Sequence, residues 1–480
     1  MKQTVNSIRV NYIMNVFLNG SAYILPLLAK PYVSRILLAD GMGKVSIATS
    51  QIAYFTMFVM LGVPTYGIRA CARVRDDREE LSRTAEEIFL LNLVLAIPVY
   101  ACLFWAVCFI PKMHEMKDLL LVMSGTIILN VIGMEWLYRG LEEYVKLATR
   151  SLLFKLVAIA LIFLFVRKKQ DYVVYGGCTM LASYGANLVN FAMSHKYFDK
   201  VPIRISGIKR HIKPTLIFFA MSVATTVYTN LDVVMLGFMS DDIQAGYYDA
   251  TLTIKLILIG AVTSLGAVML PRVSYYIEKG MYEEFFNVSK RALNCIILLA
   301  IPLTTYFCFY ARNTILVFSG EGFSGAVLPM KILIPTVLMI GLTNITGIQM
   351  LVPLGKEKIV LYSEIGGAMV DLLVNFMLIP KLGAAGAAIG TLVAEFTVMI
   401  IQFYAIRAKL WKMLKKISIY KIVMADMIAI FFSVILTCTG LSPFLNLCVT
   451  FAGFMIIYIG SLLILKEKET VRLIKTIKRA

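Results

Sequence analysis

Fourteen long apolar runs follow one another along this chain, and the segments between them are too short to build a water-soluble domain. Crossing a hydrocarbon layer of ~30 Å takes about 20 helical residues at ~1.5 Å each. Runs of that length fall at 11–29, 45–67, 86–110, 117–138, 147–166, 171–193, 214–239, 247–271, 291–311, 327–353, 359–380, 383–406, 419–440 and 444–465. Backbone polar groups find no water in lipid, so runs of this kind are helices rather than open strands. The expected fold is therefore all-α and polytopic, with about 14 transmembrane helices.

Composition points the same way. Hydrophobic residues make up 59% of the chain and charged residues 16%, against about 45–50% and 25% in soluble domains. The net charge of +18 could signal nucleic acid or topology, and its distribution decides. With both termini placed in the cytoplasm, 34 of the 47 Lys and Arg fall in inner segments, 10 in outer segments and three within spans. That bias is the positive-inside pattern, so no nucleic-acid partner is expected. The eight cysteines stand singly without a CxxC pair, which indicates neither a disulfide framework nor a metal site. Residues 1–29 superficially resemble a signal peptide, but Asn11, Asn15 and Asn19 recur every four residues and lay amides along one helical face. A disposable apolar segment has no use for them, so this is read as a retained first span.

The chain repeats. Leu95-Ala96-Ile97-Pro98 returns as Leu299-Ala300-Ile301-Pro302, 204 residues later, and a span opening after Gly43 is echoed by one opening after Gly246. The expected organisation is a six-helix bundle over 1–193, a basic cytoplasmic linker at 194–213 and a second six-helix bundle over 214–406. Two additional helices at 407–465 and a basic tail at 466–480 follow. Six spans per unit make the repeats parallel, an arrangement that sets a substrate cavity between the halves and permits alternating access. The tail alternates apolar and basic residues like a helix lying on anionic lipid.

Three stretches carry a family resemblance: Asn15 to Arg35 with Leu25-Pro26 and Pro31-Tyr32-Val33-Ser34-Arg35; Tyr228 to Gly237 followed by Ala245-Gly246-Tyr247-Tyr248-Asp249-Ala250; and Ile379 to Thr391. Together with the order of helices they resemble the polysaccharide-repeat flippases of Wzx type, in the MOP superfamily with the MATE multidrug antiporters and the lipid II flippases. The resemblance implies translocation of an undecaprenyl-diphosphate-linked oligosaccharide from the inner to the outer leaflet of the bacterial cytoplasmic membrane, without bond making or breaking. It implies no cofactor beyond a coupling proton or sodium ion. The implied partners are the lipid-linked glycan, membrane lipids, glycosyltransferases and a polysaccharide polymerase.

A diphosphate cargo calls for a wet, cationic cavity. A charge within a span costs about 2.5–3.5 kcal/mol on insertion scales, so each needs a reason. Lys155 and Lys255 both lie near mid-bilayer and are the cations expected to meet the cargo. Tyr248 and Thr251 share a helical stripe with Lys255 and are read as sugar-binding hydroxyls. Asn15 and Asn19 on the first span, and Tyr228 and Asp232 on the seventh, are read as facing walls, with Arg35 near the end of the first. Asp371 and Glu395 lie at mid-depth and are read as ion-coupling carboxylates. Structural pairing of these same groups is the competing reading.

No GxxxxGK[ST] phosphate loop is present, and His114, His195 and His211 lack HExxH spacing, which speaks against an ATP-driven pump and a metalloenzyme. Two further readings stay open. A MATE-type cation-coupled antiporter would favour a carboxylate-lined cavity, against which the mid-membrane lysines count. A membrane-embedded polymerase or ligase would need a large external loop, and none is present.

Overall fold

The computed structural model describes residues 14, 18, 20–21, 24–199, 205–437 and 441–477; within those, the structure is helical with no strand. It divides into two compact units, Met1–Gly246 and Tyr247–Ala480.

In the first unit, α1 (Ile24–Met60) and α2 (Val63–Arg73) are followed by α3 (Arg78–Phe109), the short α4 (Pro111–Glu115) and α5 (Lys117–Gly133). Then come α6 (Glu135–Gly140), α7 (Tyr144–Phe165), α8 (Tyr172–Tyr184), α9 (Ala186–Ser194) and α10 (Ile205–Met239). The sequence expects a loop over 30–44; the structure instead carries helix through it, broken only at Leu38 (φ 58°, ψ −176°). An i,i+4 bridge from Lys44 to Asp40 at 3.3 Å supports that stretch. The start of α3 is fixed by Asp77, whose carboxylate accepts the Glu79 and Glu80 amides at 3.0 and 3.1 Å. Glu79 and Glu80 themselves sit well beside the positive end of the helix dipole.

The sequence repeat and the packing divide the chain at different places. The repeat breaks at the 194–213 linker, whereas the first compact unit extends through α10 to Gly246, because α10 packs on α1, α2 and α3. Gly43 and Gly246, which open corresponding spans in the sequence repeat, lie in contact: a methyl on Gly246 would overlap the Ala39 carbonyl, and one on Gly43 the Asp242 carbonyl. Only residues without a side chain allow backbones to approach this closely.

The second unit takes over within α11 (Asp242–Glu278) and continues as α12 (Tyr282–Phe309), α13 (Ala311–Phe318), α14 (Val327–Leu333) and α15 (Thr336–Thr343). A π-helical turn over Asn344–Leu351 leads to α16 (Glu357–Leu382) and α17 (Ala384–Ala405). The chain ends with α18 (Arg407–Leu414), α19 (Ile419–Ile435), α20 (Pro443–Ile464) and α21 (Lys468–Ile477). The tight turn at Gly383 (φ 54°) sends α17 back along α16, and the run Ala384 to Ala388 is small enough for the two backbones to close on each other. The helices at 407–465 dock on α12 through hydroxyls: Tyr306 donates to Leu447 O at 2.9 Å, Thr305 to Asp426 Oδ1 at 2.8 Å and Tyr310 to Ser433 at 3.1 Å. The amphipathic α21 is held by Glu467, which accepts from Asn294 at 3.2 Å and caps Thr470 at 2.7 Å.

Among the described residues, 11 helices are long and apolar enough to cross a membrane, or 12 with the pair Arg407–Leu414 and Ile419–Ile435, bent by 57°, taken as one span. Two of the fourteen expected runs account for the difference. The run at 11–29 lies largely outside the described residues. The run at 171–193 is split at Gly185 into α8 and α9, each shorter than a crossing.

Candidate functional site

An apolar bundle buries few charges, so those it does bury mark where something other than packing is at stake. In the first unit Lys155, on α7, is 9% exposed, and its Nζ donates to Ser21 Oγ at 2.6 Å, which in turn donates to Leu18 O at 2.6 Å. Glu135 at the start of α6 is its electrostatic neighbour. That carboxylate is already engaged by Arg139 at 2.7 Å. Lys155 thus holds one hydroxyl and makes no ion pair among the described residues.

Lys255, on α11 in the second unit, is 7% exposed and makes neither a hydrogen bond nor an ion pair among the described residues. Tyr248 and Thr251, on the same buried stripe, are fully enclosed. Tyr248 meets Thr391 Oγ1 at 2.8 Å, and Thr251 donates to Tyr247 O at 3.0 Å. Their hydroxyls are used inside the unit.

The carboxylates of the second unit gather along the α16–α17 hairpin. The buried face of α16 runs Ser363, Gly367, Asp371, Asn375, Ile379, one residue per turn. Opposite lie Gly390, Thr391, Glu395 and Gln402 of α17, all buried. A methyl on Gly390 would overlap Asn375 Oδ1 and lie 2.9 Å from Asp371 Oδ1, so that glycine is what lets both side chains reach α17. Glu395 has Glu364 as an electrostatic neighbour. The row is closed by Gln402, which donates to Ser363 at 3.2 Å and accepts from Thr346 of the π-helical turn at 2.8 Å. Asp371 and Glu395 therefore share one buried polar seam.

Asp232 is buried near the C-terminal end of α10, with Tyr54 as its electrostatic neighbour, and Tyr228 is half-buried one turn before it. Arg35 is exposed and donates to the Pro31 carbonyl of its own helix. Asn15 and Asn19 lie outside the described residues. Among the described residues no group of three or more His, Cys, Asp and Glu could hold a metal ion.

Several buried polar residues carry no signal in local sequence. Gln51 of α1 is 5% exposed with neither amide atom hydrogen-bonded among the described residues. Glu87 and His211, each under 5% exposed, face each other across 124 residues of chain at 2.9 Å. Glu87 could have been noticed as the last charge before an apolar run that continues to Pro111.

A family model described as "Polysaccharide biosynthesis protein" matches residues 8–277, more than half of the chain. The chain belongs to the polysaccharide biosynthesis protein family. The resemblance to polysaccharide flippases agrees with the family and with its curated relatives. A candidate O-antigen transporter of Escherichia coli (strain K12) is 25% identical over 403 residues, covering 84% of this chain and 97% of that protein. One from Shigella dysenteriae is 24% identical over 83% and 99%. Among solved structures, the lipid II flippase MurJ in an inward closed conformation aligns with a TM-score of 0.73 at 14% identity, covering 93% of this chain and 98% of that one. An inward-facing MATE-family multidrug resistance transporter of the MOP superfamily aligns with a TM-score of 0.63 at 15% identity, covering 84% and 99%. This member of the polysaccharide biosynthesis protein family is thus a multi-pass membrane protein of transporter fold.

Proposed function

We propose that the protein is a flippase that carries an undecaprenyl-diphosphate-linked oligosaccharide from the inner to the outer leaflet of the bacterial cytoplasmic membrane, for surface polysaccharide assembly. Both termini lie in the cytoplasm in this reading. The observation that carries it is the pair of span-buried lysines, Lys155 and Lys255, neither of them ion-paired among the described residues. In a family devoted to polysaccharide synthesis, the anion that such cations await is the diphosphate of the carrier lipid. The isoprenoid tail stays in lipid while the polar head crosses by alternating access.

Asp371 and Glu395, in the polar seam of the second unit, are the proposed coupling carboxylates for a proton or sodium ion. The membrane potential assists in any case. Moving about two negative charges outward across an inside-negative potential releases roughly 4–5 kcal/mol per 100 mV.

The test is reconstitution of purified protein in proteoliposomes with a fluorescent polyprenyl-diphosphate sugar. Transfer between leaflets should depend on the protein, and Lys155→Ala with Lys255→Ala should abolish it. Normal transfer by the double variant would reject the assigned role of the lysines. Export of cationic dyes in place of the lipid-linked sugar would favour the antiporter reading.

A further inference from the structure

Helix α10 is gripped most firmly at its two ends. His211 and Thr215 are buried near its start, and Asp232, Val233, Met235 and Leu236 near its end, with Gly237 seated on Ile47; from 216 to 231 no residue is buried. Its most apolar window is only 11% buried, the lowest share of any candidate span. In lipid, helices associate through packing and polar contacts rather than through apolar burial, so a helix with so little packing along its length depends on whatever holds its ends.

The C-terminal end is held by packing, the N-terminal end by a polar network. Glu87 Oε2 on α3 accepts from Arg210 Nε at 2.8 Å and faces His211 Nε2 at 2.9 Å. His211 Nδ1 lies 2.7 Å from the Tyr66 hydroxyl on α2. A neutral imidazole that donates from Nε2 and accepts at Nδ1 satisfies both neighbours. Arg210 reaches on to Glu80 at 3.1 Å, and Glu80 lies 3.5 Å from Arg83. Gly207 presses against the other Glu87 oxygen, where a methyl would overlap. The far end of the linker is moored to the same helix: Arg78 donates to both Asp199 oxygens at 2.7 and 2.9 Å, and Ser82 Oγ accepts the Asp199 amide at 2.9 Å. The first three turns of α3 thus dock both ends of the linker that precedes α10.

We propose that Tyr66, Glu87, Arg210 and His211 form a releasable latch that holds the N-terminal end of α10 against α2 and α3, with the packed 232–237 segment as the hinge. Glu87 and His211 are buried at the centre of this network and Arg210 lies at its exposed rim, so the buried pair is satisfied only in the docked arrangement. Once one member leaves, its partners lose their compensation together. Beyond the latch, Phe218 and Phe219 pack on Gly62, Phe58 and Tyr66 one turn further along, and from 220 to 231 no residue is buried. The latch therefore sets two positions for this end of α10, docked and free, which is the kind of bistable element a transport cycle requires. It requires no particular cargo.

Hydrogen exchange on the full-length protein in nanodiscs, without substrate, tests it. Glu87→Gln and His211→Gln should each speed exchange of backbone amides in 205–220 at least tenfold, leaving 232–240 unchanged. A bridge between Glu87→Cys and Gly207→Cys, with Cys102, Cys108 and Cys448 replaced by serine, should restore protection. Unchanged exchange at 205–220 in both glutamine variants would overturn the latch. So would equal loosening at 232–240, since that would mean the network merely supports the whole unit. None of these readouts involves lipid-linked sugar, so they stand or fall apart from the flippase reading.

Discussion

Replacing Lys255 by methionine should make the protein more stable and less active. A lysine at mid-span costs about 2.5–3.5 kcal/mol to insert, and Lys255 has no hydrogen bond or ion pair among the described residues to offset that. Methionine keeps the length of the stem and removes the charge. Some of the penalty is relieved in the native state by residual hydration, so a gain of about 1–3 kcal/mol is expected, roughly a 5- to 150-fold shift in the unfolding equilibrium. Lys155→Met supplies the contrast. It also sheds a charge but forfeits the bond to Ser21, worth about 1.5–3 kcal/mol for a charged donor, so the two effects nearly cancel. Stability is measured by steric trapping in bicelles or by the reactivity of the buried Cys71 thiol on heating. Translocation is measured in parallel, and both variants should lose it. If Lys255→Met instead destabilises by more than about 1 kcal/mol and still moves the lipid-linked sugar, Lys255 is part of the scaffold and the reasoning fails.

Three other outcomes follow from the geometry. Gly390→Ala drives a methyl into Asn375 and Asp371 and should cost about 1–3 kcal/mol by overpacking; an unchanged melting temperature would show that the seam is loose. Asp371→Asn and Glu395→Gln should remove the ion dependence of translocation, and normal transfer under every ion gradient would exclude both as coupling sites. Hydrogen bonds from Arg78 hold the Asp199 carboxyl below its usual range. A depressed pKa means that the stabilisation is complete above the unfolded value of ~3.9 and is lost only as pH falls through the lower folded one. The protection of the 195–199 peptide, with the intrinsic pH dependence of amide exchange divided out, should therefore be flat between about pH 5 and 8, and a step inside that window would contradict the pairing.

The helices were legible because lipid leaves the backbone no alternative, so length and apolarity alone locate them. Breaks were less so. Leu38 adopts a positive φ within a run that reads as a loop around Lys30, Arg35 and Lys44, and the interruption at Gly185 lies inside an unbroken apolar run. Mid-span depth singled out Lys155, Lys255, Asp371 and Glu395, and all four are buried. Depth gives no account of neighbours, however, and Tyr248 spends its hydroxyl on Thr391, 143 residues away. Glu87 escaped notice for the same reason. Among Arg78, Glu79, Glu80, Arg83 and Glu86 it reads as one more solvated charge at a helix start, and its partners Arg210 and His211 come from a helix more than a hundred residues on.

Buried charges in this protein fall into two kinds, and the difference separates scaffold from work. Glu87 is compensated on every side by Arg210 and His211. Removing one partner from such a set costs about 3–5 kcal/mol, because the remaining charge stays buried, so its variants should be read first in stability and local exchange. Lys255 is compensated by nothing among the described residues, and Lys155 by one hydroxyl and the shared, more distant carboxylate of Glu135. A chain that keeps two such penalties gains nothing from them at rest. On the proposed function the gain comes from an anion that binds and leaves, and a cation already neutralised by a neighbouring carboxylate could not offer it. It follows that building a partner should be as damaging to transport as removing the charge. Thr251→Glu, one turn from Lys255 on the same buried stripe, should neutralise the lysine through an i,i+4 pair and suppress translocation, at a cost in stability because position 251 is fully enclosed. Translocation at the original rate with that pair in place would mean that the charge of Lys255 plays no part in moving the cargo.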